Sequence, residues 1–276
     1  MTAASSRSPC EPLLHIQKLN IAFGGLKAVQ DFSLHLPAQG LYGLIGPTGA
    51  GKTTVFNLLT GVYQPDSGSR HLEGRDLAGH QPHQITAAGI ARTFQNIRLF
   101  GELSVVENVL LGCQLRGRHH LAGTLLRTEH YQRQEVEQHE RALELLSLFG
   151  LQDRAHGPAR NLSYGHQRQL EICRALGTNP QVLLLDEPAA GMNPQEKHEL
   201  ADAIQHIREK FRVAILLIEH DMGLVMRVCE RITVLDHGAT IAEGTPLQVQ
   251  NDPQVITAYL GAEAGEVPAA RQKGLG

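Results

Sequence analysis

Cysteine is scarce and scattered in this sequence. Its four cysteines, Cys10, Cys113, Cys173 and Cys229, form no C-x-x-C pair, which excludes a disulfide framework and points to a reducing, cytosolic compartment. Positive charge is not in excess either: 25 Lys+Arg stand against 28 Asp+Glu, a net charge of −3. A general polyanion binder is therefore excluded, no nucleic-acid partner is expected, and any phosphate must be held locally. The first fifteen residues carry one arginine and no apolar core, so no secretory signal is read there. The longest uncharged stretch, Phe32 to Gly51, contains five glycines and two prolines and is not a membrane helix. The chain reads as soluble, and any membrane role needs partners.

What is present is enough chain, 276 residues, to build one large α/β domain or two small lobes without staples. Leu14 and Ile16 alternate with His15 and Gln17, and Val29 to Leu36 alternates again, the pattern of half-buried antiparallel strands. Leu41 to Ile45, Val182 to Leu185, Val213 to Ile218 and Ile232 to Leu235 are short apolar runs with helical patterns between them, which predicts a parallel sheet. Ile90 to Gln95 reads as a further strand. Ser104 with Glu107 has capping-box spacing, Glu135 to Phe149 puts Ala142, Leu145, Leu146 and Phe149 on one helical face ahead of Gly150, and Ser163 can cap a helix to about Leu176. The expected organisation is a flexible N-terminus over 1–12, one domain over 13–261 with a helical subdomain inserted at about 100–177, and a disordered tail over 262–276, rich in Gly and Ala.

Gly46-Pro47-Thr48-Gly49-Ala50-Gly51-Lys52-Thr53 fits G-x-x-x-x-G-K-[ST] between a strand and a helix. In that setting backbone N–H groups close on phosphates, Lys52 adds a cation and the Thr53 hydroxyl can ligate Mg²⁺; Thr54 follows in the same turn. The apolar strand ending in Asp186 and Glu187 supplies a carboxylate for Mg²⁺ and one to orient or deprotonate an attacking water. Leu162-Ser163-Tyr164-Gly165-His166-Gln167 builds a second anion site at a helix N-terminus. One ATP cannot easily meet both termini within one domain, so a head-to-tail dimer is expected, with Ser163, Gly165 and His166 closing over the partner's nucleotide. Gln95 is placed to sense metal and water, His220 to contact the γ-phosphate, and Phe23 to stack on adenine.

These residues resemble the ATP-binding subunits of ABC transporters. In that likeness Lys52 falls in the Walker A motif, Gln95 in the Q-loop, Leu162 to Gln167 in the signature, Asp186 and Glu187 in Walker B, Gly191 to Asn193 in the D-loop and His220 in the switch histidine. The stretches Phe23 to Val29, Arg92 to Phe100, Asp186 to Pro194, Leu217 to Met222 and Ala258 to Gly261 are similar to the cytoplasmic ATPases of bacterial branched-chain amino-acid importers. The resemblance implies a P-loop NTPase core with a parallel sheet, an N-terminal antiparallel β subdomain and an inserted α-helical subdomain. It implies ATP and Mg²⁺ as cofactors, with Thr53, Gln95 and Asp186 toward the metal and Glu187, Gln95 and His220 as catalytic residues. It also implies two transmembrane permease subunits, a second ABC ATPase subunit, an external solute-binding protein acting indirectly, and a peripheral place on the cytoplasmic face of the inner membrane.

Three positions depart from the family pattern. Thr48 stands for the usual Asn, His166 for Gln, and Asn193 for the Asp of the wider family. A protonated His166 would add attraction near the γ-phosphate and make turnover more pH-dependent, whereas Asn193 also has the spacing of a helix cap. The basic residues Arg116, Arg118, His119, His120 and Arg127 suit a solvated face or contact with phospholipid heads. Rival readings are a soluble ABC-type ATPase in cofactor assembly, a carrier of urea, amides or other amino acids, and a small-molecule kinase; the last leaves Leu162 to Gln167 unexplained.

Overall fold

In the computed structural model, residues 12–115 and 129–265 are described; the basic residues Arg116 to Arg127 lie outside them. The strands are β1 (Leu14–Phe23), β2 (Leu26–Leu36), β3 (Leu41–Ile45), β4 (Ser67–Leu72), β5 (Arg75–Asp76), β6 (Ile90–Arg92), β7 (Val182–Asp186), β8 (Ala214–Ile218), β9 (Arg231–Asp236) and β10 (Ala239–Gly244). They form one sheet in the order β5-β4-β1-β2-β10-β9-β3-β8-β7-β6. The run from β9 to β6 is parallel. The pairs β1–β2, β1–β4 and β4–β5 are antiparallel.

The helices are α1 (Lys52–Leu59), α2 (Pro82–Ala88), α3 (Val105–Gln114), α4 (Glu129–Ser147), α5 (Tyr164–Gly177), α6 (Pro194–Phe211), α7 (Met222–Val228), α8 (Pro246–Gln250) and α9 (Pro253–Gly265). Two hydrophobic cores lie on the two faces of the central strands, and the strand period of two assigns residues between them. Val182, Leu184, Ala214, Leu216 and Ile218 join Phe56, Leu58 and the apolar residues of β1 and β2. Leu183, Leu185, Ile215 and Leu217 join α3, α5 and α6 through Val109, Leu170 and Ile204.

Several boundaries differ from the sequence expectations. Strand β6 stops at Arg92 rather than Gln95. Thr93 still donates its N–H to Leu184 O, but the carbonyls of Phe94 and Gln95 then turn to Arg168 and the ladder ends. Helix α4 starts at Glu129 and stops at Ser147, short of Phe149, and Gly150 takes φ +65° after it. The last helix runs to Gly265, past the expected boundary at 261, because Ala262, Glu263 and Ala264 are good helix formers. Among the described residues, no helix is long and apolar enough to cross a membrane.

Candidate active site

Parallel strands leave their carboxyl ends on one edge, where an open α/β sheet binds ligands. Here β3, β8 and β7 are neighbours, so Gly46, the pair Glu219–His220 and the pair Asp186–Glu187 emerge side by side. The Glu187 N–H donates to Ile218 O at 2.9 Å, joining two of these ends directly.

After β3 the chain turns through Gly46, with φ +150°, and reaches α1 through Gly51, with φ +102°. A Cβ on Gly46 would stand 2.0 Å from Leu235 O and one on Gly51 2.5 Å from Ala28 O, so no larger residue fits at either position. Gly51 gives α1 no side-chain cap, and the first N–H groups of a helix have no partner within it. The buried Lys52 ammonium donates to Gly46 O at 2.8 Å and Pro47 O at 2.9 Å. Burial pulls its pKa below the ordinary lysine value, opposed by the charges of Glu187 and Asp186. Ala50 closes the loop by donating to Pro47 O at 3.1 Å. Thr48, Gly49 and Thr53 are exposed and Thr54 is half-buried.

Asp186 is fully buried. Arg92 Nη2 lies 2.7 Å from its Oδ2, and burial pushes the carboxyl above the usual aspartate range against the pull of that guanidinium. Its other oxygen, Oδ1, is buried with no hydrogen-bond partner. A hard cation seeks such an oxygen, and the residues present therefore fit Mg²⁺ as the loop fits phosphate.

Glu187 stands at φ +49°, a conformation that non-glycine residues adopt rarely and that clusters at functional sites. One carboxylate oxygen accepts from Gln95 Nε2 at 3.1 Å, and the other lies 2.7 Å from His220 Nε2. The structure thus brings together the three residues expected to be catalytic. It also keeps two groups apart: Ser163 Oγ meets His166 Nδ1 at 3.0 Å and accepts from His166 N at 3.4 Å, and among the described residues neither side chain bonds to the P-loop. Gly165, at the same helix entrance, faces Glu196, whose Oε1 would lie 3.5 Å from an added Cβ. Phe23, at the end of β1, is 45 % exposed and meets Tyr63 edge-on with ring centroids 5.2 Å apart.

Sequence reasoning missed three supporting residues. Arg92 also donates to Asn57 Oδ1 on α1 at 2.7 Å and lies over the rings of Phe56 and Phe94, so it ties the P-loop helix to Asp186. Glu219 is buried and accepts N–H groups from Ala189 at 2.7 Å, His220 at 3.0 Å and Asp221 at 3.3 Å. Burial pushes its carboxyl up. Arg168 on α5 is the third. Each is a charged residue in or beside an apolar segment, a position that demands a partner, and that was the available signal.

This geometry agrees with comparison to known proteins. Residues 29–190 match the family described as ABC transporter, and residues 239–265 match the one described as branched-chain amino acid ATP-binding cassette transporter. The high-affinity branched-chain amino acid transport ATP-binding protein LivG of Escherichia coli (strain K12) is 47 % identical over 251 residues, covering 91 % of this chain and 98 % of that protein. The corresponding BraF of Pseudomonas aeruginosa is 44 % identical, covering 91 % and 98 %. The crystal structure of the ADP conformation of an ATP-binding cassette of an ABC transporter superposes with a TM-score of 0.78 at 30 % identity, covering 90 % of this chain and 98 % of that one. The parallel sheet, the glycine cradle and the paired carboxylates are those of an ATP-hydrolysing transport ATPase, and the chain belongs to the ABC transporter ATP-binding family.

Proposed function

We propose that this chain is the ATP-binding and hydrolysing subunit of an importer of branched-chain amino acids, held at the cytoplasmic face of the inner membrane by two transmembrane permease subunits. The observation that carries the mechanism is the convergence of Gln95 and His220 on the two oxygens of Glu187, beside a buried aspartate with one free oxygen.

ATP lies with its phosphates in the loop Gly46 to Thr54 and its adenine against Phe23. Thr53, Asp186 and Gln95 hold Mg²⁺, which when bound draws charge from the phosphates. Glu187 orients the attacking water and takes its proton as the new P–O bond forms and the bond to ADP breaks. His220 holds the second oxygen of Glu187 and faces the γ-phosphate. Ser163, Gly165 and His166 close on the nucleotide of a second ATPase subunit, which is why they stand apart from the P-loop of their own chain.

The permease docks in the groove of about 300 Å³ between the strand core and the helices α3 and α5. Phe94 at the root of the Gln95 loop lines it, as do Phe100 and Leu115, each 56 % exposed. Exposed apolar side chains gathered on one groove suit a partner surface, and a short amphipathic segment of a membrane subunit fits it. An external solute-binding protein acts through that permease.

The test is Glu187→Gln, tagged and purified from detergent-solubilised membranes with Mg²⁺-ATP. The variant should retain ATP and lose about 10²- to 10⁴-fold in turnover, and it should carry two integral membrane proteins and an ABC ATPase subunit with it. Undiminished hydrolysis would remove Glu187 from its role. Recovery of soluble partners alone would overturn the importer reading, and leucine, isoleucine and valine uptake by the reconstituted complex tests the solute.

A further inference from the structure

The Gln95 side chain reaches Glu187 from an exposed loop, and something must hold that loop still. Its backbone is gripped by one helix. Arg168 of α5 donates Nη1 to Phe94 O at 2.5 Å and Nη2 to Gln95 O. Six residues further along the helix, Arg174 donates to Arg98 O. The Arg98 N–H in turn donates to Glu171 Oε1 at 3.4 Å, and the buried Glu171 carboxylate lies 3.6 Å from Arg168 and 3.7 Å from Arg174. Two arginines and a glutamate of α5 thus take up main-chain groups of residues 94, 95 and 98.

The same guanidinium also reaches back to the start of the helix. Arg168 Nη2 also donates to the Tyr164 hydroxyl at 2.9 Å, and its Cζ lies 5.4 Å from the centre of that ring. Tyr164 stands between Ser163 and Gly165, and its ring lies against Gly191, where an added Cβ would come 3.1 Å from Cε1. A single buried arginine, 3 % exposed, therefore joins the entrance of α5 to the backbone carrying the amide that holds Glu187.

We propose that Arg168 is a positioning residue for hydrolysis. It fixes the Gln95 amide on Glu187 by holding the loop backbone, and it makes that placement depend on the position of the Ser163–Gly165 entrance. A contact made there by a second subunit's nucleotide is carried to Glu187 of the same chain through Tyr164, Arg168 and the Gln95 carbonyl. Lysine cannot replace it, because an ammonium lacks the planar fork that meets two carbonyls at once. This inference rests on the roles given to Gln95 and Glu187 above.

The experiment compares the wild-type chain with Arg168→Lys and Tyr164→Phe by hydrogen–deuterium exchange and by steady-state kinetics. Arg168→Lys keeps a cation for Glu171 and loses the fork; Tyr164→Phe keeps the ring on Gly191 and loses only the hydroxyl. In Arg168→Lys, amide exchange over residues 93–98 should rise about 10-fold while strand 182–186 stays protected. Its kcat should fall about 10-fold with KM for ATP within about two-fold, the signature of a residue that acts after binding. Tyr164→Phe should move both quantities in the same direction by about three-fold.

Unchanged exchange over 93–98 in Arg168→Lys overturns the proposal. So does faster exchange throughout 182–186 with a melting temperature lowered by more than about 5 °C, which makes the arginine a packing residue. Glu187→Gln is assayed beside them. If it hydrolyses ATP normally, the role of Glu187 has failed, whereas a loosened 93–98 loop with slowed turnover in Arg168→Lys still supports the grip of Arg168 on Gln95.

Discussion

Helices α1 and α6 both follow a buried parallel strand, yet their first turns are treated in opposite ways. Helix α6 opens on Asn193, whose side chain accepts from Glu196 N while Glu196 reaches back to Asn193 N, with Pro194 at the first position. Its free N–H groups and its dipole are answered from within. Helix α1 opens on Gly51, with no side-chain cap and no acidic residue in its first turn. The entrances of α3 at Ser104 and α8 at Thr245 are full capping boxes like that of α6. The difference separates helix starts that serve stability from one left for an anion, and α5, which has the Ser163 side-chain cap but neither a capping box nor an acidic residue in its first turn, stands between the two kinds.

Lys52→Met strikes the open entrance hardest. ATP binding should weaken about 10- to 100-fold, the worth of a charge-assisted hydrogen bond, as measured by titration calorimetry. The nucleotide-free protein should not lose stability with it. The folded-state pKa of Lys52 is lowered by burial, so its charge opposes folding until the pH rises past the depressed value. Wild-type melting temperatures should therefore climb toward those of Lys52→Met between that value and the ordinary lysine pKa.

Ser163→Ala probes the intermediate entrance: turnover should drop about 10-fold while the cost in stability stays within the ~1 kcal/mol of a lost cap. Ser104→Ala is the contrast, costing about 1 kcal/mol in denaturant unfolding and leaving ATP affinity unchanged. The smallest effect belongs to the cap of α7, where Asp221 accepts from Leu224 N and pairs with Lys197 at 2.6 Å. The Lys197 hydrogen bond, and then that of Leu224 N, hold this carboxyl below the usual aspartate range, so its contribution exists above that range and disappears as the pH falls through the depressed value. Asp221→Asn should cost about 0.5 kcal/mol at neutral pH for a half-buried pair at the surface. The gap between the two unfolding curves should shrink below about pH 4.

The capping signals at Ser104, Ser163 and Asn193, the glycine cradle and the strand ending in Asp186 were all legible in the sequence, because each is a local pattern with a local cause. Arg92, Arg168 and Glu219 were not. The partner of Arg92 lies 94 residues away and that of Arg168 74 residues away, and only the register of β6 beside β7 brings the first pair together. The end of β6 was misread for the same reason: Phe94 is apolar enough to continue a strand, and what turns the chain is a guanidinium on a distant helix. The final helix ran longer than expected because a composition low in bulk suggested disorder, although alanine needs no bulk to be helical.

The alternation of β7 and β8 between two cores carries a consequence for the chemistry at their ends. A slip of one residue along either strand would send Leu184 or Leu216 to the helical face and Leu183 or Leu217 to the other, upsetting both cores at once. Each strand is in effect keyed on two sides. The carboxylates of Asp186 and Glu219 inherit that tolerance, so their placement is guarded by aliphatic residues that never approach a phosphate.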